Sequence, residues 1–263
     1  MPAEVGKVLL VGAGPGAADL MTVRAQRAVQ AAQALLYDAL VCDEIVALAP
    51  AACVRIQTGK RSGKASMKQA TINRLMLRLA RRGLEVVRLK GGDPSVFGRS
   101  GEERAFLEGH GVEVEIVPGV TAASAAAAQF AFPLTHRGEA RRVAFATARV
   151  EDGAVVEAGW AGLADPQTTT VLYMARDAAR AAADRLMAEG RSPQTPTLAV
   201  ENAGRPEARA ISAPLEGLAD AVEDAGFTGP VLLAVGEATA QARGAIRQIA
   251  DEPPRLAAKH SKS

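Results

Sequence analysis

The feature that most constrains this chain is an alternation. Five apolar runs, "KVLLVGAG", "ALLYDALV", "CVRIQTGKR", "LEVVRLKGGDP" and "VEVEIVPG", follow one another in the first half. Each reads as a buried strand. Between them lie "LMTVRAQRAVQAAQ", "KQATINRLMLRLARRG" and "SGEERAFLEGHG", whose apolar residues recur at helical spacing. Gly83 stops the second of these. Strands alternating with helices predict a parallel sheet with crossover helices.

The pattern then changes. "VTAASAAAAQFAFPLTHRGEA" reads as a small-residue helix followed by a Pro-containing loop. Beyond it lie "RRVAFATAR", "TTTVLYMA", "TPTLAVENAG", "ARAISAPL" and "PVLLAVGEA", with helices "ARAAADRLMAEG" and "LEGLADAVEDAG". This half reads as a more mixed sheet with shorter strands. The expected division is an N-terminal α/β domain over 1–134, a C-terminal α/β domain over 135–250, and a disordered tail over 251–263. A chain of 263 residues has room for two small cores. Aromatics are only 3%, so those cores are built from Val, Leu, Ile and Ala.

Several function classes are disfavoured at this level. The formal net charge is +2 with both signs interspersed, and there is no polybasic run to track a nucleic acid. No apolar run approaches a membrane span. The N-terminus leads straight into a strand, with no signal peptide. Cys42 and Cys53 lack metal or redox spacing, and His110 and His136 sit in no ligand motif. The expectation is a reduced, cytoplasmic protein without a metal.

Three strand ends carry small-residue turns. The first is "VGAGPGAADL". Read literally, "GAGPGA" fits G-x-G-x-x-A, and Asp38 ends the second strand as a ribose-binding acid would. Pro15 works against that reading, because it removes an N–H where a pyrophosphate needs donors. A turn made only for packing is the other reading. The second is "KGGDPSVFGR". Gly91 and Gly92 allow a ligand to lie against bare backbone, Asp93 can accept its hydrogen bonds, and Pro94 fixes the exit direction. Asp93 can equally be a helix-capping turn residue. The third is "VPGVTAAS", with Gly119 in the turn and Thr121 and Ala122 opening a helix. In a parallel sheet all three lie on the carboxyl edge, where ligands bind. Asp38 and Lys60 fall on the same edge. They read as a base and an acid facing one cleft, or as a solvated salt bridge.

These motifs occur in one order with "FGRSGEE" and "PLTHRGEA". Together they resemble the uroporphyrinogen-III C-methyltransferase family of the tetrapyrrole methylase superfamily, over about residues 5 to 245. The resemblance implies two α/β domains with the cofactor cleft between them, and a homodimer. The implied cofactor is S-adenosyl-L-methionine, leaving as S-adenosyl-L-homocysteine. By matched motif, Pro15, Gly91, Gly92, Asp93, Val96, Thr121, Ala122, Met174 and Ala203 would line its pocket. Asp38 and Lys60 would be proton acceptor and donor. The implied reaction methylates uroporphyrinogen III at C2 and C7, giving precorrin-2 by way of precorrin-1, for sirohaem or cobalamin synthesis. That substrate is an anionic tetrapyrrole, so arginines should meet its carboxylates. Arg61, Arg99 and Arg137 sit in matched motifs, with Glu102 placed to orient Arg99 or merely to pair with it. By residue type alone a strand methionine such as Met174 is core.

The chain departs from the family pattern in four places. Ala39 replaces a usual arginine, Ser95 an aromatic, and Ser100 a glycine. "ATARVEDG" has Ala148 and Arg149 where the family reads T-G-H. Arg149 stays charged and cannot relay a proton, though it can bind a carboxylate. The other readings carried forward are a same-fold methyltransferase with a different acceptor, a nicotinamide oxidoreductase, and a binding protein that has lost catalysis.

Overall fold

The structure, a computed structural model, describes residues 4–59, 67–148, 150–151, 154–155, 159–244 and 246–248. The chain divides into two compact units, Met1–Ala126 with Ala203–Glu207, and Ala127–Asn202 with Ala208–Ser263.

The first unit alternates as the sequence pattern requires. Its elements are β1 (Val8–Gly12), α1 (Val23–Ala31), β2 (Ala34–Tyr37), α2 (Asp43–Ala47), β3 (Val54–Gln57), α3 (Gln69–Ala80), β4 (Val86–Lys90), α4 (Ser100–Glu108), β5 (Val114–Val117) and α5 (Ala122–Gln129), the last continuing past the division at Ala126. The sheet runs β3-β2-β4-β1-β5, and every pairing is parallel. Strand β1 lies between β4 and β5, so all five of its residues are buried. Its side chains alternate between two cores. Leu9 and Val11 pack with Ala25 and Val29 of α1 and Ile45 of α2. Val8 and Leu10 pack with Met76 of α3 and Leu107 of α4. The chain leaving β1 therefore turns to one face and the chain leaving β4 to the other. That is the divergence at which an open α/β sheet makes room for ligands.

Local chemistry sets the helix ends. The Thr22 hydroxyl accepts from the Ala25 N–H at 3.1 Å and caps α1. Gly83, at φ +80°, ends the turn after α3. The expected second strand is shorter than "ALLYDALV", because the chain turns at Asp38, where Val41 N–H bonds back to the Asp38 carbonyl. Helix α2 was not expected. It is five residues long, too short for a period to show.

The second unit comprises β6 (Arg142–Thr147), β7 (Val150–Glu151), β8 (Ala154–Val155), α6 (Trp160–Ala164), β9 (Thr168–Tyr173), α7 (Ala179–Ala188), β10 (Pro196–Glu201), β11 (Arg209–Pro214), α8 (Leu218–Asp224), β12 (Val231–Val235) and β13 (Ile246–Gln248). Its main sheet, β13-β11-β10-β12-β9-β6, is mixed as expected. The expected shorter strands are found only in part: β7 and β8 have two residues and β13 three, but β6, β9, β10 and β11 each have six, against four or five in the first sheet. Pro196 and Pro214 mark strand ends here rather than breaks, since Pro is tolerated at the limits of a strand. Helices α6, α7 and α8 share one core with Leu172, Ala199 and Leu233 of the sheet.

Leu10, fully buried beside Met76, should be costly to truncate. Leu10→Ala is expected to lose about 2–5 kcal/mol in denaturant unfolding. Val54→Ala, on the exposed edge strand β3, should stay within about 0.5 kcal/mol.

Candidate active site

The site of the first unit is built from the backbone outward. Where the turns after β1, β4 and β5 meet, Gly12 and Gly119 leave no room for a side chain. A Cβ on Gly12 would lie 2.7 Å from the Gly92 carbonyl oxygen and from Gly119 Cα. One on Gly119 would lie 2.2 Å from that same oxygen. Gly14 and Gly92, both at positive φ, exchange backbone hydrogen bonds of 3.2 and 2.7 Å. The Ala13 N–H donates to the Lys90 carbonyl at 2.8 Å, and the Ala17 N–H to the Gly204 carbonyl at 2.9 Å. The first-turn glycines thus press against protein, and these N–H donors are spent within the chain. The dinucleotide reading loses its physical basis, and the packing reading of that turn is the one the geometry supports.

Segment 203–207 belongs to this unit although it follows β10. A Cβ on Gly204 would lie 2.4 Å from the Pro15 ring, and one on Gly16 would meet the Arg205 side chain. The Arg205 guanidinium donates to the Leu40 carbonyl at 2.7 Å. Pro15 and buried Ala203 are thereby brought into one neighbourhood.

Asp93 ties two turns together. Its Oδ2 accepts from the Gly119 N–H at 2.9 Å, and its Oδ1 accepts from the Ser95 N–H at 2.7 Å and from the Ser95 hydroxyl. Burial pushes its carboxyl up. The bonds from Ser95 and Gly119 outweigh that and hold it below the usual carboxylate range. Ser95, which departs from the family pattern, is therefore a working part of this brace. The loop then winds tightly through Phe97 and Arg99, both left-handed at φ +51° and +56°. Gly92, in contrast, has nothing within 4 Å of where a Cβ would stand. Gly91 faces only Leu40, and Val96, Thr121 and Ala122 are half-buried.

Beneath this edge lies a charged network that the sequence reading missed. The Arg88 guanidinium donates to Asp38 Oδ1 at 2.5 Å and to Glu103 Oε1 at 3.2 Å. Lys90 Nζ donates to Glu103 Oε2 at 2.9 Å, and Gln69 Nε2 to Glu103 Oε1 at 3.0 Å. The Thr58 hydroxyl donates to Asp38 Oδ1 at 3.1 Å. Arg88, Lys90 and Glu103 are buried, while the Asp38 side chain is 32% exposed. Burial pushes the Lys90 ammonium down and Arg88 adds to that, while Glu103 and Asp38 pull it back. One signal was available in sequence. Ser100, Glu103 and Leu107 share the inner face of α4, so Glu103 rather than Glu102 points inward.

Arg99 and Glu102 form an exposed two-bond pair at 2.9 and 2.7 Å. The bond from Arg99 holds Glu102 below the usual carboxylate range, and at this exposure the pair adds little stability. Arg137 is exposed in the turn around Gly138. In the second unit, Met174 follows β9 with 70% exposure and a left-handed backbone at φ +54°. It is not core. An exposed apolar side chain on strained backbone has no packing reason, and such residues cluster at functional sites. Lys60, Arg61 and Arg149 lie outside the described residues. Among the described residues, no three His, Cys, Asp or Glu side chains gather as a metal would need. No described helix is long and apolar enough to cross a membrane.

A family model described as tetrapyrrole (corrin/porphyrin) methylases matches residues 7–219. The chain belongs to this family. Its resemblance to uroporphyrinogen-III C-methyltransferases is borne out by a relative of that name from Paracoccus denitrificans, 42% identical over 91% of this chain and 84% of the relative. The chain is also 44% identical to a sirohaem synthase of Azotobacter vinelandii, over 90% of its own length and 51% of the relative's. It spans about half the length of the sirohaem synthases it matches. Among solved structures, the uroporphyrin-III C-methyl transferase of Thermus thermophilus in complex with S-adenyl homocysteine is similar at a TM-score of 0.76. The two are 42% identical over 89% of this chain and 99% of that one. The two-domain α/β fold of the family is the fold seen here.

Two outcomes test this site. Gly119→Ala should cost about 2–3 kcal/mol by forcing backbone apart, whereas Gly101→Ala, with open space around it, should be neutral or gain about 0.5 kcal/mol in the same unfolding assay. Because the Asp93 carboxyl is depressed in the folded chain, its contribution is full above the ordinary carboxylate range and fades as pH falls through its lowered value. The stability gap between the parent and Asp93→Ala should therefore narrow in acid, which urea titrations from pH 7 downward would read.

Proposed function

We propose that this chain is an S-adenosyl-L-methionine-dependent C-methyltransferase acting on uroporphyrinogen III. Its methylations would fall at C2 and C7, giving precorrin-2 by way of precorrin-1. The observation that carries the reading is the braced, open backbone at Gly92, on the edge of a parallel sheet in a chain of this family. Such a cradle fits a nucleoside-bearing ligand, because a Cβ at Gly92 would enter otherwise open space.

When bound, the cofactor supplies a methyl group on a sulfonium, whose leaving group is neutral and needs no metal. The chain's own residues position and deprotonate. Gly91, Gly92, Val96, Thr121 and Ala122 would hold the ligand, with Pro15 and Ala203 closing one side. Asp93 acts mainly by bracing the turn, since Ser95 and Gly119 already bond its oxygens. Met174 offers a polarizable sulfur to the adenine or sulfonium region. Asp38, fixed by Arg88 and Thr58, would take the proton lost after methylation, and Lys60 would donate. Arg61, Arg99, Arg137 and Arg149 would meet the substrate carboxylates, with Glu102 orienting Arg99. A homodimer working in the cytoplasm, without nucleic acid or membrane, completes the reading.

An anaerobic assay of the purified chain with both substrates tests this. Two methyl groups per tetrapyrrole are expected by mass, with precorrin-2 by absorbance. One methyl would place the stop at precorrin-1, and none would sink the assignment of acceptor. Asp93→Ala should weaken S-adenosyl-homocysteine binding about tenfold by titration calorimetry, through loss of the turn it braces. Unchanged affinity would contradict the role given to that turn.

A further inference from the structure

We propose that Glu103 is a positioning residue for the reaction: from the inner face of α4 it anchors the Arg88 guanidinium, which in turn fixes the carboxylate of Asp38. The proposal rests on the reading of Asp38 as proton acceptor. Arg88 spans two carboxylates, with Nε on Glu103 Oε1 and a terminal nitrogen on Asp38 Oδ1. A guanidinium is a planar fork, so fixing one edge fixes the direction of the other. Glu103 is fully buried, where no water competes for it, while Asp38 is partly exposed at the sheet edge. The anchored end is thus inside and the working end outside.

Glu103 does a second job through Lys90. That lysine immediately precedes Gly91, and a Cβ on Gly98 would lie 3.2 Å from its Cε. The Glu103 carboxylate therefore holds Lys90 as well as Arg88, while the Gly91–Gly98 turn keeps its own brace in Asp93. Two cations and two anions balance within this group. Glutamine at 103 would break that balance. It would also turn an amide N–H₂ toward Lys90 or Arg88, donor against donor.

The test is a double-mutant cycle on the full chain. Glu103→Gln, Asp38→Asn and the double variant are compared for kcat, for KM toward uroporphyrinogen III, and for S-adenosyl-homocysteine affinity. Glu103→Gln is expected to lower kcat by at least about tenfold with that affinity unchanged, because a displaced base loses its geometry. In the Asp38→Asn background it should lower kcat by less than about twofold, since both changes remove one function. If Glu103→Gln does not melt cooperatively, Glu103→Asp replaces it. That variant keeps the charge but is one methylene too short to reach both cations, and a smaller, equally non-additive loss is expected. A folded Glu103 variant with parental kcat would overturn the proposal, and so would losses that multiply in full with Asp38→Asn. Failure of both variants to fold would also overturn it, assigning Glu103 to stability alone. If Asp38→Asn itself keeps full kcat, the reading of Asp38 falls first and takes this inference with it.

Discussion

Three backbone segments meet at the carboxyl edge of the first sheet with no side chain between them. Gly12, Gly92 and Gly119 approach so closely that a single methyl group on Gly12 or Gly119 would collide with main-chain atoms of the others. Everything else at this edge depends on that contact. It sets the Gly14–Gly92 hydrogen bonds, places the Gly119 N–H on Asp93, and leaves the open side of Gly92 facing outward. A turn held this way needs no bound ligand to keep its shape, and a preformed cradle spends less binding energy on ordering.

The second determinant is electrostatic. Burying an arginine, a lysine and a glutamate inside one α/β layer costs desolvation for each. The arrangement persists because charges of opposite sign are shared: each cation finds Glu103, and Arg88 also finds Asp38. Such a group contributes less to stability than an apolar core of the same volume would. Its value lies in direction, since it presents one carboxylate at the sheet edge in a fixed orientation. The second unit buries a comparable carboxylate with a different result. Glu201 accepts from the Thr228 and Gly229 N–H groups and from Arg209, which also lies over the Phe227 ring. There the ionic group only closes a turn.

Ser95, Ser100 and Ala39, the three single-residue departures from the expected motifs, are each accommodated locally. Ser95 supplies two donors to Asp93. Ser100 is buried at the start of α4, next to the left-handed Arg99. Ala39 fits closely against Gly59, whose own Cβ would collide with it. Small residues at these positions are compatible with a tightly wound edge.

Much of this was legible in the sequence, for a physical reason. Apolar periodicity is a local property, so "KVLLVGAG" and "KQATINRLMLRLARRG" announce a strand and a helix without help. The order of such elements then permits only a parallel sheet. Glycine, proline and aspartate at three strand ends mark where the edge is special, again because backbone freedom is local. What the glycines touch is not local. Whether Gly12 faces a phosphate or Gly119, whether Asp93 serves a ligand or Ser95, and whether Glu102 or Glu103 faces inward are decided by segments brought together from far along the chain. The same holds for Ala203–Glu207, which leaves its sequence neighbours to pack on Pro15, and for Arg88, whose two carboxylate partners lie 50 and 15 residues away. Sequence by itself determined the elements and their order. Only the tertiary structure decided the partners, because burial and charge pairing depend on distance in space.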